Sequence, residues 1–176
     1  MARIPYVPAD LAEPREIVDA VRARRGGTLL NLDRMLLHSP DLAAGWNAYL
    51  GAVRTRLSLS PKLRELAMCV VAVLNDAEYE FVHHSPEFLE AGGTQAQLDA
   101  LRDPDAARRD EANFDETERA ALAVAITSTR TVRVPEADLD ALARRLGERA
   151  TVEFVATVAA YNMVSRFLVA LGIEPE

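Results

Sequence analysis

Residues 76–93 read DAEYEFVHHSPEFLEAGG and hold two of the chain's three histidines, His83 and His84, beside Glu80. On a helix, side chains four apart lie on one face. Asp76, Glu80 and His84 would then line up, with His83 three residues from Glu80 on the same broad side. A carboxylate beside an imidazole holds its tautomer and raises its basicity, which is the arrangement for general acid–base work. The same spacing also suits an ordinary solvated helix face carrying a Glu/His pair, so spacing alone leaves both readings open. Pro86 has no N–H for the i−4 carbonyl, so a break or sharp kink is expected there, freeing the carbonyl of Val82.

Other chemistries find less support. Glu80 and His83 form one Glu-x-x-His, but a di-iron bundle needs two such motifs and two further glutamates. No second one occurs, and no metal site is expected. The lone cysteine, Cys69, lies in LAMCVVAVL, the setting of an inert buried thiol, and a dithiol mechanism within one subunit is excluded. No nucleophile elbow or phosphate loop is present, and no cofactor is called for. A net charge of −7 argues against a nucleic-acid partner. The longest apolar run, Leu66 to Leu74, is far too short to span a membrane. The N-terminal MARIPYVPADLAEP has no hydrophobic signal core, and with one cysteine the expected location is cytoplasmic.

Helical spacing runs through nearly the whole chain and strand alternation is scarce, so the fold is read as all-α. Residues 1–13 form an extended arm, either laid across a neighbouring subunit or a loose tail; 14–176 form a single helical domain. Its first helix runs from Pro14 to Arg25 and stops at Gly26-Gly27; a second covers Thr28 to Leu37. Ser39-Pro40 and Ser60-Pro61 place a capping serine before a first-turn proline, so helices start there. Capping-box spacing at Thr94/Gln97 and Asp115/Glu118 marks two more starts. The core motif thus occupies 61–101, and the charged, aperiodic RDPDAARRDEAN at 102–113 reads as a surface loop between two halves. The C-terminal helices, within 115–172, are expected at about 116–130, 136–146 and 149–171. The last is apolar on most sides, as in a bundle centre or a subunit interface.

KLRELAMCVVAVLNDAEYEFVHHSPEFLEAGGT resembles the core of the carboxymuconolactone decarboxylase and alkyl hydroperoxidase D superfamily. The peroxidase branch carries a glutamate, eleven residues, Cys-x-x-Cys, three residues and a histidine. In this register the glutamate falls on Glu65 and the histidine on His84, while the cysteine positions are Ala77 and Glu80. YEFVHH instead resembles the Tyr-Glu-Trp-x-x-His of cysteine-free members, with Phe81 for the tryptophan. The closing VAAYNMVSRFLVALGIEPE is similar to their last helix. The resemblance implies an alkyl hydroperoxidase D-like helical bundle that assembles as a homo-oligomer, a trimer or hexamer. It implies His84, Glu65 and Glu80 as catalytic residues, with Tyr79 and His83 at the substrate. Asn162 and Arg166, one turn apart on the last helix, are the candidate carboxylate clamp; Arg166 would alternatively pair with Glu65. The function this suggests is non-redox, decarboxylase-like (lyase) chemistry on a small carboxylated molecule. A non-catalytic ligand-binding or scaffold oligomer is the alternative, and a peroxidase-related hydroperoxide reductase is disfavoured by the missing cysteines.

Overall fold

A computed structural model describes residues 2–176, and every regular element among them is a helix. These residues form two compact units. One ends at Arg56 and takes in Phe167–Glu176; the other is Leu57–Arg166.

The first unit contains α1 (Arg15–Arg24), α2 (Asn31–Leu36) and α3 (Pro40–Thr55). Gly26 and Gly27, both at positive φ, end α1 as expected, because only glycine takes that conformation without strain. Val18, Val21, Met35, Leu36 and Leu50 are buried, and the Trp46 ring packs on Phe167 at 5.2 Å. Asp33, 1% exposed, holds two guanidiniums, Arg24 at 3.3 Å and Arg25 at 3.0 Å. Met1 lies outside the described residues, but the rest of the N-terminal arm is tied to its own chain. Arg34 Nε donates to the Val7 carbonyl at 2.8 Å and its guanidinium sits 5.0 Å over the Tyr6 ring. His38 Nε2 lies 2.7 Å from the Pro5 carbonyl. The segment is an anchored strap rather than a loose tail.

The second unit contains α4 (Pro61–Leu74), α5 (Glu78–Glu90), α6 (Gln95–Ala100), α7 (Pro104–Ala107), α8 (Glu116–Thr131) and most of α9 (Glu136–Leu171). α4 is its centre: Leu66 through Ala72 are all at most 1% exposed, and the helix packs on both α5 and α8. Its start is the expected cap, with Leu63 N–H donating to Ser60 Oγ at 3.2 Å behind Pro61. Both capping boxes form, and they are joined. Gln97 Nε2 donates to Glu118 Oε2 at 3.1 Å, and Lys62 pairs with Glu118 Oε1 at 2.7 Å, tying α4, α6 and α8 together. α9 is interrupted at Gly147, whose φ of 77° and ψ of 166° are not helical, so two helices meet there as expected. It is the one helix among the described residues long and apolar enough to cross a membrane; 44% of the qualifying stretch is packed inside the protein.

Three expectations are corrected. The charged stretch 102–113 is not all loop: Asp103 caps α7 through the Ala106 N–H at 3.1 Å, and Pro104 and Ala107 are buried. Pro86 does not break α5, which runs on to Glu90 and keeps Pro86 inside it. The turn before the proline is held from the side, where Ser85 Oγ donates to the Phe81 carbonyl at 2.6 Å. Asp76 is not on the helix. It sits in the turn before α5 at a φ of +52° and is exposed, so the row of three carboxylate and imidazole groups is only Glu80 and His84.

Candidate functional site

α5 ends in a closed turn that fixes its rotation. Gly93 N–H donates to the Phe88 carbonyl at 2.8 Å and Gly92 N–H to the Leu89 carbonyl at 3.1 Å, with Gly92 at a φ of +93°. With its other end set by the Asp76 turn, α5 turns Tyr79, Glu80, Phe81, His84 and Phe88 inward. Glu80 and His84 therefore share the buried face. α4 supplies Glu65 and α9 supplies Tyr161 and Ser165, themselves four residues apart.

His84 and Glu65, nineteen residues apart in the chain, meet at the centre. His84 Nδ1 lies 2.7 Å from Glu65 Oε2, and the two residues are 5% and 3% exposed. The carboxylate accepts, which puts a proton on Nδ1. Arg64 Nε donates to the other Glu65 oxygen at 3.1 Å. Burial works against ionisation of Glu65, but the bonds and charges of His84 and Arg64 outweigh it and hold the carboxyl below its ordinary range. The Tyr161 ring meets His84 edge-on at 4.9 Å.

Glu80 has the opposite environment. It is 2% exposed, Ser165 Oγ is hydrogen-bonded to its Oε2, and its Oε1 has no partner among the described residues. Burial pushes its carboxyl up to about 8, against the weaker opposing effect of Ser165. So two carboxyls on neighbouring helices are pushed in opposite directions, Glu80 upward by burial and Glu65 downward by its bonds to His84 and Arg64.

The remaining candidates are placed less centrally. Tyr79 is buried with its ring stacked 4.2 Å from His83, and His83 Nδ1 lies 2.7 Å from the Tyr79 carbonyl. These two are packed on each other, beside the central pair. Asn162 has its amide fully engaged. Its Nδ2 donates to Thr129 Oγ1 at 2.9 Å and the Val158 carbonyl at 3.0 Å, and its Oδ1 accepts from Asn75 at 3.1 Å and Arg166 at 3.1 Å. Arg166 is exposed and, among the described residues, bonds Asn162 alone, so neither the buried pair with Glu65 nor an inward clamp is formed; the cation at Glu65 is Arg64. The reason is helical phase: Ser165, not Arg166, faces inward from α9. Spacing alone missed Tyr161 and Ser165, although their four-residue interval on an apolar helix matches that of Glu80 and His84.

A cavity of about 270 Å³ lies on the flank of α5, lined by Phe81, Ser85, Leu89, Leu98 and Arg102 among others. Arg102 stacks over the Phe81 ring at 3.6 Å and pairs with Glu78 at 3.2 Å. Cys69 is fully buried, and burial, helped by the charge of Glu65, pushes its thiol up to about 12. Among the described residues no group of three His, Cys, Asp or Glu is placed to hold a metal ion.

The model of the carboxymuconolactone decarboxylase family matches residues 40–127, from the start of α3 into α8, and includes Glu65, Glu80 and His84. The chain belongs to this family. Among solved structures it is similar to an uncharacterized peroxidase-related protein from Silicibacter sp. TM1040, at 19% identity and a TM-score of 0.80, covering 99% of this chain and 90% of that one. It is similar to an alkylhydroperoxidase D core protein, also peroxidase-related, from Ralstonia eutropha JMP134, at 24% identity and a TM-score of 0.79, covering 99% and 92%. A third likeness is to a variant of the debrominase Bmp8 in complex with 2,3,4-tribromopyrrole, at 19% identity and a TM-score of 0.82, covering 100% and 94%. These likenesses establish the alkyl hydroperoxidase D-like fold. Comparison with curated protein sequences gives no match.

Proposed function

We propose that this member of the carboxymuconolactone decarboxylase family carries out non-redox acid–base chemistry of the decarboxylase type on a small carboxylated organic molecule. His84 is the proton-transferring group and Glu65 fixes its tautomer. The observation that carries this reading is the buried 2.7 Å bond between Glu65 and His84 Nδ1. In the step envisaged, the bond from carbon to the substrate carboxylate breaks and carbon dioxide leaves. The electron pair stays on the substrate as a delocalised enolate-type anion, and His84 delivers a proton to it. The imidazole is then reprotonated from solvent.

Thiol chemistry fits the chain less well. A peroxidase of the dithiol type needs a low-pKa attacking cysteine and a resolving partner. Here the single thiol is buried and raised, and the two signature positions carry Ala77 and Glu80. We also propose a homo-oligomer and a cytoplasmic location. Val152, Ala159 and Met163 lie exposed on one face of α9, an apolar stripe that supports the former.

The deep burial of His84 favours a second reading, a non-catalytic ligand-binding or scaffold oligomer. One experiment separates the two: following the loss of γ-carboxymuconolactone optically with wild-type protein and with His84→Ala. Turnover that disappears in the variant supports the enzyme. Equal turnover in both removes His84 as the proton-transferring group, and none in the wild type removes this decarboxylation and favours the binding reading.

A further inference from the structure

The first unit holds a charged recess that the acid–base reading does not use. About 190 Å³ in volume, it lies between the C-terminal ends of α1 and α3 and is lined by Arg24, Arg25, Gly51, Arg54 and Thr55. No acidic side chain among the described residues lines it, although the chain as a whole carries a net charge of −7. The three arginines are half-buried and differently committed. Arg24 donates from Nε to Asn47 Oδ1 and from Nη2 to Asp33 Oδ1 at 3.3 Å. Arg25 donates from Nε and Nη2 to the two Asp33 oxygens, at 3.0 and 3.3 Å, so its Nη1 is bonded to nothing among the described residues. Arg54 makes no hydrogen bond or ion pair among the described residues. Thr55 spends its hydroxyl proton on the Gly51 carbonyl at 2.8 Å, which leaves the guanidiniums as the donors of the recess.

A guanidinium is charged at any pH at which a protein is folded. Three of them stand against the one carboxylate of Asp33, so the recess carries two positive charges that the fold does not neutralise. Arg24 and Arg54 each occupy the last turn of a helix, where a cation complements the bare carbonyls. That accounts for each charge separately. It does not account for their convergence with Arg25 on one small recess, where like charges held together cost free energy. Asp33 clamps Arg24 and Arg25 from behind and fixes their planes, which lowers the entropy lost when they bind an anion. We propose that this recess binds a phosphate group, either the free ion or the head of a small phosphate monoester. A phosphate carries close to two charges at neutral pH on one compact group, matching the surplus, and its three or four oxygens accept from guanidiniums arriving on different sides. A carboxylate would leave one cation unmatched.

Titration calorimetry of the full chain at fixed ionic strength tests this, with inorganic phosphate and glycerol 3-phosphate as the two probes. Arg54→Gln removes no bond that the fold uses, and should bind phosphate about tenfold or more weakly than the wild type. Gly51→Glu tests the same recess from its other wall. A Cβ there meets nothing within 4 Å, so the helix accepts the side chain, and its carboxylate should occupy the cations and abolish binding. Arg144→Gln removes one exposed positive charge in the other unit and should leave binding unchanged. Circular dichroism of each variant checks that the helices are intact. Tighter binding of glycerol 3-phosphate than of phosphate would identify the ligand as a monoester, and the reverse order would identify the free ion; both support the site. Absence of binding by either probe up to about 10 mM overturns the proposal. So does binding that Arg54→Gln and Gly51→Glu leave intact, or that Arg144→Gln weakens as much as Arg54→Gln does, since the effect would then belong to net charge and not to this recess.

Discussion

Replacing Glu80 by glutamine should change how the stability of the protein depends on pH, and the size of the change follows from burial. Glu80 titrates near 4.5 in an unfolded chain and is pushed up to about 8 in the folded one, at 2% exposure. Between those values the folded state holds a proton that the unfolded state has released. The unfolded state binds fewer protons, so unfolding free energy falls as pH rises through this window and is level on either side of it. At about 1.4 kcal/mol per pH unit the window amounts to roughly 5 kcal/mol. Glutamine has no proton to lose. Its unfolding free energy should be offset from the wild type by a constant and lack this decline. The assay is urea unfolding at fixed protein concentration between pH 5 and pH 8.5, comparing slopes rather than absolute values. Glu65 does not interfere, because its depressed carboxyl contributes stability that is lost only as pH falls below the ordinary carboxylate range. Parallel curves for the two proteins would mean that Glu80 titrates normally in the fold, and the neutral-acid reasoning would fail.

Glu65→Gln should lower stability by about 1–3 kcal/mol at pH 7, because it removes buried charge-assisted bonds to His84 and Arg64. That loss should shrink as pH falls below the ordinary carboxylate range, and a pH-independent loss in urea titrations would contradict it. Gly93→Ala would put a Cβ 2.2 Å from the ring of the fully buried Phe88. A loss of about 1–3 kcal/mol from the displaced ring is expected, and an unchanged urea midpoint would show that the turn adjusts freely. Cys69 should resist alkylation by iodoacetamide at pH 8 in the folded protein and react once urea unfolds it. Reaction at the free-thiol rate without urea would show that α4 opens readily.

Most helix limits were legible because their chemistry is local. Ser60, Thr94 with Gln97, and Asp115 with Glu118 cap helices from within three residues of the bond they make. Gly92-Gly93 is similarly self-contained. Asp76 and Pro86 misled for complementary reasons. A positive φ at a non-glycine residue is decided by the close α4–α5 turn, and a proline within a helix is tolerated where neighbouring packing and a serine hydroxyl hold the turn. Glu65 and His84 came into register only through likeness to the family, since nothing in a nineteen-residue separation announces a contact. Ser165 and Arg166 are adjacent, and which of them faces inward depends on the rotation of α9, fixed by packing on other helices. An apolar run on most sides of a helix leaves that rotation open, which is why the arginine drew attention and the serine did not.

The position of Glu80 is more informative than its identity as one more acidic residue. In the register of the redox signature it stands where a cysteine would be, one turn before the histidine. A thiol there works by being deprotonated. A glutamate in the same dry setting is driven the other way by burial, and among the described residues no guanidinium or backbone N–H is bonded to it. The frame of Glu65 and His84 is thereby combined with a group that resists charge. Such a combination is unsuited to thiol–disulfide exchange and well suited to a reaction in which an anion forms beside an imidazole. Ser165 matters as much as Glu80, because its hydroxyl, which donates to the Tyr161 carbonyl at 2.8 Å, is the one hydrogen-bonding group among the described residues that meets the carboxyl. Ser165→Ala would leave Glu80 buried with no hydrogen-bonding neighbour, raising its titration further and freeing the acid to rotate. The infrared carbonyl band of the protonated Glu80 carboxyl should then move to higher frequency and persist to higher pH than in the wild type, whereas a carboxylate signal at pH 7 would mean that some other group, not this serine, governs the proton.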